Sequence, residues 1–266
     1  MTTVIEERRI RRGQALPMKR KAALVRWGII LGLLLLLEVL TRAGAISPAI
    51  FVPPSEIIWR LFSIVPTPQF GRDAFVSLST ILVAFLIGLV AGIALGVFLW
   101  RVPTAGRVLE PFIVTGYAMP TLLFYPVLLA LLGLNAGPII LIAATMALVP
   151  IALTTMVALN AVKPILHKLA KSVSASNRQY YLKVLLPAAT PLIFPGVRLG
   201  FIYAVIGTIA MEFILAASGI GFRVGFYYRE LQTADMWAYI MIVVILSVIV
   251  NGLLTAAERR IRRDML

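Results

Sequence analysis

Long apolar runs separated by short polar segments dominate the pattern along this 266-residue chain. A helix needs about 20 mainly apolar residues to cross the hydrocarbon core of a bilayer. Six runs are candidates, and they cover residues 25–40, 74–100, 108–132, 136–159, 192–217 and 236–256. The first is the weakest, because its apolar run is short and Glu38 lies near its end. The pattern therefore predicts an all-α integral membrane protein with six transmembrane helices.

The positions of Lys and Arg predict how these helices are oriented, because basic residues near span ends are retained in the cytoplasm. With both termini inside, 19 of the 25 basic residues lie on the cytoplasmic side and five lie outside. The remaining one, Arg198, falls within the fifth run, where its long side chain can extend to the interface. We therefore expect cytoplasmic N- and C-termini.

These assignments divide the chain into five regions. They are a basic cytoplasmic tail over 1–24, a first transmembrane helix over 25–45, an external segment with an interfacial helix over 46–73, a core transmembrane domain over 74–257, and a basic tail over 258–266. A cytoplasmic loop over 160–190 interrupts the core domain. A signal peptide cleaved near residues 41–47 is the alternative at the N-terminus, but further spans follow, so we expect the first span to be retained.

Composition excludes several classes of protein. Hydrophobic residues make up 61% of the chain and the mean hydropathy is +0.97, whereas soluble domains are about 45–50% apolar. The chain has no Cys and a single His, His167, so we expect no zinc cluster. The formal net charge of +14 sits at span ends, where it suits anionic lipid headgroups rather than nucleic acid.

The sequence lacks the common motifs of enzyme chemistry. There is no G-x-x-x-x-G-K-[ST] phosphate loop, nor any Gly-Lys dipeptide, so we expect no ATP-hydrolysing site in this chain. There is no H-E-x-x-H motif, and the spans hold only scattered Ser and Thr. We therefore predict that the protein is not an enzyme and takes its energy from another chain or from an ion gradient.

Two features of the predicted spans bear on packing and on a pathway. In GLVAGIALG, Gly88, Gly92 and Gly96 recur every four residues, so one helix face lets another backbone approach closely. That neighbour is either a helix of the same chain or a second subunit.

In the third run, Pro120 and Pro126 each remove a backbone hydrogen bond and are expected to bend the helix. Such bends mark either a pathway or a purely structural kink.

An ionisable residue, Glu212, lies deep in the fifth apolar run. A charge at the bilayer centre costs about 2.5–3.5 kcal/mol on insertion scales, so Glu212 is expected to face the bundle interior or an aqueous cavity. Three roles are open: a pathway or gate residue, a hydrogen-bonded packing residue, and a site of proton coupling. With Glu212, we select Tyr117, Met119 and Pro120 as candidate pathway residues. The sequence SGIG at 218–221 is expected to end this helix in an external turn.

The external segment SPAIFVPPSEIIWRLF predicts a Pro-rich stretch followed by a short amphipathic helix. We expect Ser55 to cap this helix. Its apolar residues are expected to lie in the membrane interface: Ile57, Ile58, Trp59, Leu61 and Phe62.

A basic segment, HKLAKSVSASNRQYYLKVLLPAATP at residues 167–191, interrupts the apolar pattern. Pro164 can start a helix just before it. The apolar residues of this helix form a stripe at helical spacing: Ile165, Leu166, Leu169, Ala170 and Val173. Because the helix is too short to span, it is expected to lie on the membrane or to dock into a groove on a cytoplasmic partner.

This loop resembles that of the type I permease subunits of ATP-binding-cassette importers, in particular the nitrate, sulfonate and taurine branch. The family loop reads roughly E-A-A-x-x-x-G, then nine residues, then I-x-L-P. Aligned on Leu185–Leu186–Pro187, its Glu falls on Lys168 and its Gly on Ser174. Its two Ala fall on Leu169 and Ala170. Lys168 therefore reverses a charge, and Ser174 replaces a glycine that serves a turn between two helical pieces.

The resemblance extends over about residues 50–256. VPPSEIIWRL resembles the family's external P-S … L motif. SLSTILVAFLIGLVAGIALGVFLW resembles its S-L-x-R-x-x-x-G-F span, with Thr80 in place of Arg and Ala84 in place of Gly. PLIFPGVRLGFIYAVIGTIAMEF, followed by GIGF, resembles the G-L-R-x-G … E … G-L-G stretch of the fifth span. The order and spacing of these motifs identify the family.

The resemblance implies a passive translocation subunit with the type I importer permease fold, located in the bacterial cell (inner) membrane. The implied partners are two copies of an ATPase that binds ATP, an extracytoplasmic substrate-binding protein, and a second permease copy, identical or paralogous. No cofactor is expected in this chain. The implied solute is a small anion such as nitrate, a sulfonate or taurine, or a related organic solute. The implied ATPase-coupling residues are Lys168, Ala170, Lys171, Ser174, Ala175, Ser176, Gln179 and Tyr180.

The main alternative is a stand-alone secondary transporter or channel that uses Glu212 for ion or proton coupling. It predicts transport without any ATPase, it gives no account of the docking-like loop, and inverted repeats are not evident in the sequence. A membrane-embedded enzyme or an assembly scaffold is a third alternative, which no motif supports.

Overall fold

A computed structural model describes residues 22–23, 25–118 and 121–263 of the chain. All regular structure within these residues is helical, which confirms the predicted all-α class. The candidate pathway residues Met119 and Pro120 lie outside the described residues, as do most of the N-terminal tail and the last three residues.

The helices follow one another along the chain with short connections. In order they are α1 (25–42), α2 (Pro54–Ile64), α3 (Pro68–Arg101), α4 (Pro103–Ala118), a 3₁₀ turn (Thr121–Phe124), α5 (Tyr125–Leu132), α6 (Gly137–Asn160), α7 (Pro164–Ser172), α8 (Asn177–Gln179), a π-helical segment (Tyr180–Leu185), α9 (Leu186–Leu215), α10 (Ile220–Arg229) and α11 (Thr233–Arg263). The short α8, the π-helical segment and α9 form one continuous helix.

Four helical stretches of the described residues are long and apolar enough to cross a membrane. They are Pro68–Arg101, Gly137–Asn160, Asn177–Arg229 and Thr233–Arg260. A pair of helices, Pro103–Tyr117 and Thr121–Leu132, passes the same test only as a unit, and its two members meet at 85°. Five of the six predicted runs thus correspond to these elements. The use of α1 as a first span stays a prediction.

The third run differs from the single bent helix that its prolines predict. Helix α4 ends at Ala118, and α5 begins at Tyr125 after the 3₁₀ turn. Pro126 lies in the first turn of α5, where a backbone N–H would have no partner within the helix. Pro126 therefore starts a helix rather than bending one.

Helix α6 lies between α3 and α9 and is the most buried helix of the described residues. Helix α3 approaches it through Gly88, Gly92 and Gly96. A Cβ atom added at Gly92 would lie 2.8 Å from the carbonyl oxygen of Leu148 and 2.9 Å from Cβ of Ile151. The glycine face of α3 is therefore in contact with a helix of the same chain.

Helix α9 approaches α6 in the same way from another side. Gly196, Gly200 and Gly207 all face α6. A Cβ atom added at Gly200 would lie 2.5 Å from Cδ1 of Ile151 and 2.9 Å from the carbonyl oxygen of Ala147. Close approach of backbones favours helix association inside a membrane, where dispersion contacts replace the hydrophobic effect as the driving force.

The structure has a helix, α10, where the sequence predicts an external turn at SGIG. Arg223 interrupts its hydropathy, yet Ile220 and Val224 form a buried face. Gly225 lets the helix pass close to α9, because an added Cβ atom would collide with the carbonyl oxygen of Phe213. The helix was not predicted because this face is too short to produce a clear periodic pattern.

Helix α2 confirms the short helix expected in the external segment but not its predicted cap. The N-cap is Pro53, and Ser55 lies in the first turn. The Ser55 hydroxyl donates to Oε1 of Glu38 at 2.7 Å, and its N–H donates to Oε2 at 3.0 Å. Ser55 therefore joins α2 to α1 instead of capping α2.

The two faces of α2 have different surroundings. Leu61 and Ile64 pack in a cluster that includes Ala238 of α11, whereas Trp59 and Phe62 are exposed. An amphipathic helix of this kind suits a membrane interface. Its position there stays a prediction.

Substitution of Gly92 by Ala tests the contact between α3 and α6. The added methyl group has no room against Leu148 and Ile151, and overpacking of this kind costs about 1–3 kcal/mol. We expect the thermal unfolding midpoint in detergent to fall by several degrees. The control is Gly252→Ala in α11, where nothing lies within 4 Å of an added Cβ. An equal midpoint for the two variants would contradict the close contact.

Candidate translocation pathway and coupling segment

A buried polar cluster joins one end of α3 to the end of α9 and the start of α10. We call it the Glu212 cluster, and its members are Asp73, Ser77, Glu212, Arg223 and the backbone of residues 219–221. Glu212 is only 1% exposed. Its Oε2 accepts hydrogen bonds from the Ser77 hydroxyl at 2.6 Å and from the Gly221 N–H at 2.9 Å.

The cluster provides partners for the backbone N–H groups at the start of α10. The first N–H groups of a helix have no acceptor within it, and inside a membrane protein they need one. The pairs are Gly219 with Oδ1 of Asp73 at 3.2 Å, Ile220 with Oγ of Ser77 at 2.8 Å, and Gly221 with Oε2 of Glu212 at 2.9 Å. Side chains of α3 and α9 thus cap α10, and the positive end of its dipole favours their carboxylates.

Among the described residues, only one of the two carboxylates of the cluster pairs with a cation. Arg223 Nε donates to Oδ2 of Asp73 at 2.6 Å, and Asp73 is nearly fully buried. Among the described residues, Glu212 forms no ion pair. Hydrogen bonds and the dipole of α10, rather than a basic side chain, therefore stabilise the carboxyl group of Glu212.

Gly219 is the position at which the cluster tolerates no other residue. Its φ is +111° and its ψ is 168°, a region that is essentially restricted to glycine. An added Cβ atom would also lie 2.6 Å from Oε2 of Glu212. The backbone conformation at this position and the nearby Glu212 carboxylate therefore both require glycine.

The second oxygen of Glu212, Oε1, has no hydrogen-bond partner within the part of the chain that the structure describes. Glu212 also lines a cavity of about 160 Å³, together with Thr80, Asn135 and Ser218. One oxygen thus belongs to a packing contact, and the residue also borders a cavity whose mainly apolar wall includes several polar side chains. The geometry is compatible with both the packing role and the pathway role.

Tyr117 lines a different and larger cavity of about 550 Å³ between α3, α4, α5 and α6. The walls are mostly apolar, and Tyr117, Thr121 and Thr145 contribute polar groups. The Tyr117 ring packs edge-on against Tyr203 of α9, with ring centroids 5.4 Å apart. Glu212 does not line this cavity, so the described residues do not bring the two candidate pathway residues to one site.

The predicted coupling residues lie on α7, on α8, in the turn between them and, for Tyr180, at the start of the π-helical segment. We call residues 163–187, which contain all of them, the coupling segment. Ser174 adopts φ of +50° in this turn, and it stands where the resembling family has Gly. The Ser176 hydroxyl accepts from the Gln179 N–H at 3.3 Å, while Gln179 Oε1 accepts from the Ser176 N–H at 2.9 Å. This capping box starts α8 directly after the turn.

One side of the coupling segment is fixed to the spans. Ala170 is 4% exposed, and His167 Nδ1 lies 2.5 Å from the hydroxyl of Tyr180. Tyr180 and Tyr181 pack on a cluster formed by the end of α6 and the start of α9, with members Leu159, Val162, Leu185 and Ala189. The guanidinium of Arg101, at the end of α3, lies over the Tyr181 ring at 5.0 Å. These contacts connect the segment to α3, α6 and α9.

The other side of α7 is exposed and apolar. Ile165, Leu169 and Val173 are 64%, 55% and 67% exposed. Lys168 and Lys171 of the same helix are also exposed. Because large apolar side chains at four-residue spacing form a continuous stripe on a helix, this face is a candidate docking surface.

Arg198 differs from the sequence expectation. It does not simply extend to the interface, because its Nε and Nη2 donate to Oδ1 of Asn251 at 2.9 and 2.6 Å. Its Nη1 also lies 3.5 Å from Oε2 of Glu258. Arg198 therefore joins α9 to α11.

Asp73, Ser77 and Arg223 were not selected from the sequence. Asp73 and Ser77 lie four residues apart on one face of α3, which is a weak signal for a shared polar partner. The partner is separated from them by 135 residues or more along the chain. The described residues contain no group of three His, Cys, Asp or Glu side chains that could hold a metal ion.

Comparison with known proteins defines the class. Residues 85–263 match the family of binding-protein-dependent transport system inner membrane components. The match covers more than half of the chain, and the protein therefore belongs to this family. It is a multi-pass inner-membrane permease of an ATP-binding-cassette importer, not an enzyme. Permeases of this class work with an ATPase subunit, which handles ATP, and with a substrate-binding protein.

Individual relatives are consistent with this assignment. The chain is 28% identical over 222 residues to the taurine transport system permease protein TauC of Escherichia coli (strain K12), covering 81% of this chain and 80% of TauC. It is 25% identical over 214 residues to the nitrate import permease protein NrtB of Synechocystis, covering 77% and 78%. A structure of the MetNI methionine transporter in an inward-facing conformation has the same fold, with a TM-score of 0.60, 21% identity, and coverage of 79% of this chain and 98% of that one.

Substitution of Gly219 by Ala tests the Glu212 cluster. The variant combines backbone strain with a collision against the Glu212 carboxylate, and we expect about 2–4 kcal/mol of destabilisation. The matched control is Gly133→Ala, because Gly133 has similar angles, φ 77° and ψ 179°, but meets only ordinary van der Waals contact. Thermal unfolding in detergent measures both. If Gly133→Ala lowers the midpoint as much as Gly219→Ala, the carboxylate does not constrain this position.

Proposed function

We propose that this permease forms part of a translocation pathway for a small solute of the nitrate, sulfonate or taurine type, or for a related organic solute. An extracytoplasmic binding protein delivers the solute, and a separate ATPase docks on the coupling segment. The exposed apolar stripe on α7 carries the proposal, because the opposite side of the same helix is fixed to the membrane-spanning helices. The relatives that transport taurine and nitrate support the solute class.

The contacts of the coupling segment suggest how force is transmitted. Closure of the ATPase displaces α7, and the pair of His167 and Tyr180 carries this displacement into the π-helical segment. Because that segment continues into α9 without a break, the displacement reaches the span directly. The contact of Tyr181 with Arg101 carries it to α3.

The pathway is proposed to lie at the contact with a second permease copy, identical or paralogous. The cavity beside Tyr117 is partly open, and another subunit would complete its wall. Two permease copies would bind two ATPase subunits. Glu212 is proposed to act indirectly, by holding α10 and α3 in a fixed relation at the opposite end from the coupling segment.

The cavity walls support a limited role for this chain in choosing the solute. They are largely apolar, and within the described residues they hold no charged side chain. A nitrate, sulfonate or taurine molecule needs directed hydrogen bonds or charges for specific binding. We therefore assign most of the specificity to the binding protein, and binding assays on that partner would identify the solute.

A charge in the apolar stripe tests the docking role. We expect Leu169→Glu to lower ATP-dependent uptake in proteoliposomes by about tenfold or more, because an unpaired carboxylate in an apolar contact is costly. The system is reconstituted with its ATPase and binding protein. The control is Lys163→Gln, which changes the net charge by the same amount at the start of the segment. Uptake and ATPase stimulation are both measured.

Two results would contradict this proposal. Full uptake by Leu169→Glu, and also by Ala175→Glu in the turn, would exclude docking through this segment. Solute transport into liposomes that contain the permease without any ATPase would instead indicate a stand-alone transporter. A Glu212→Gln variant would then test whether this carboxylate couples transport to protons.

A further inference from the structure

The coupling segment carries positive charge without any negative charge. The sequence contains no Asp or Glu from residue 111 to residue 211. The five basic residues of the segment are Lys163, Lys168, Lys171, Arg178 and Lys183. All five are exposed, and none forms an ion pair within the described residues. A partner that covers this surface must therefore accommodate uncompensated cations.

Two of these cations lie on the free side of α7, beyond the apolar stripe. Successive residues of a helix are about 100° apart, so Lys168 lies about 60° from Ile165 around the helix axis. Lys171 lies further around on the same side. The remaining flank of the stripe is occupied by Leu166 and Ala170, which pack toward the chain itself. The docking surface is thus an apolar stripe with a cationic edge on its free side.

We propose that the ATPase surface that receives α7 is an apolar groove with an acidic rim facing Lys168 and Lys171. This inference rests on the proposed docking function and specifies its partner. Burial of the stripe in a groove brings the ammonium group of Lys168 to the rim, and Lys171 lies about 60° further around the helix on the same side. A basic rim would repel these ammonium groups, whereas an acidic rim attracts them. The same positive charges disfavour binding to an ATPase whose groove has a basic rim.

The packing of α7 argues for a protein groove rather than for the membrane surface. The side with Ala170 and His167 faces the ends of the spans through Tyr180 and the Leu159 cluster. The exposed stripe lies on another side of the helix, away from those spans. Ile165, Leu169 and Val173 are therefore presented away from the hydrophobic core of the chain.

The experiment measures the affinity of the full chain, in nanodiscs of zwitterionic phosphatidylcholine, for the purified ATPase subunit of the same transport system. Surface charge attraction is screened by salt, so we expect the Kd of the wild-type chain to rise about tenfold between 50 and 300 mM NaCl. We expect Lys168→Glu to raise the Kd about tenfold at 50 mM NaCl and to lose most of this salt dependence. The control is Arg229→Glu, with the same change in net charge at the end of α10.

The outcomes separate this inference from the function on which it rests. Tight binding that depends on neither salt nor Lys168→Glu would overturn the acidic rim and leave docking intact. No binding of the wild-type chain would overturn both. A parallel arm measures how wild-type and Lys168→Glu chains in nanodiscs associate with vesicles containing phosphatidylglycerol. If Lys168→Glu weakens only this association, the charges serve the membrane surface and the inference is wrong.

Discussion

The close contact of α3 and α9 with α6 is the interaction on which the other features depend. Glycines on both outer helices remove side chains at the contact, so backbones approach to distances at which one added methyl group would collide. In a membrane this shape fit provides the attraction that apolar burial provides in water. The three helices therefore form one unit, and the two candidate functional regions lie at its opposite ends.

At one end, the Glu212 cluster accepts the hydrogen bonds that the first N–H groups of α10 cannot form within their own helix. Helix α10 begins inside the protein, and the chain offers no local capping side chain there. Asp73, Ser77 and Glu212 accept the N–H groups instead, from two different helices. At the other end, the π-helical segment with Tyr180 and Tyr181 connects α7 to α9 and α3. A displacement at α7 thus acts on helices whose far ends are held together by buried polar contacts.

Some features could be predicted because each depends on one stretch of sequence. The all-α class and the family followed from long apolar runs and from motifs in a fixed order. The broken third run did not follow, since Pro126 has the same effect on hydropathy whether it starts a helix or bends one. The cap at Ser55 was wrong because α2 begins one residue earlier, at Pro54, so Ser55 lies inside the first turn. Its hydroxyl donates instead to Glu38, which lies 17 residues earlier. Arg198 likewise has partners on α11 that no local pattern indicates.

The sequence by itself determined that this chain is a helical membrane protein, which segments are apolar, and where its positive charge concentrates. These properties depend on residues that are close together in the sequence. The thickness of the bilayer sets the length of an apolar span, and basic residues near span ends are retained in the cytoplasm. Only the tertiary structure decided that the α3 glycines face α6 and which side of α7 is exposed. It also decided that Asp73, Ser77 and Glu212 together accept the first N–H groups of α10. Hydrogen bonds and close contacts depend on which distant residues become neighbours, and helical periodicity does not encode those neighbours.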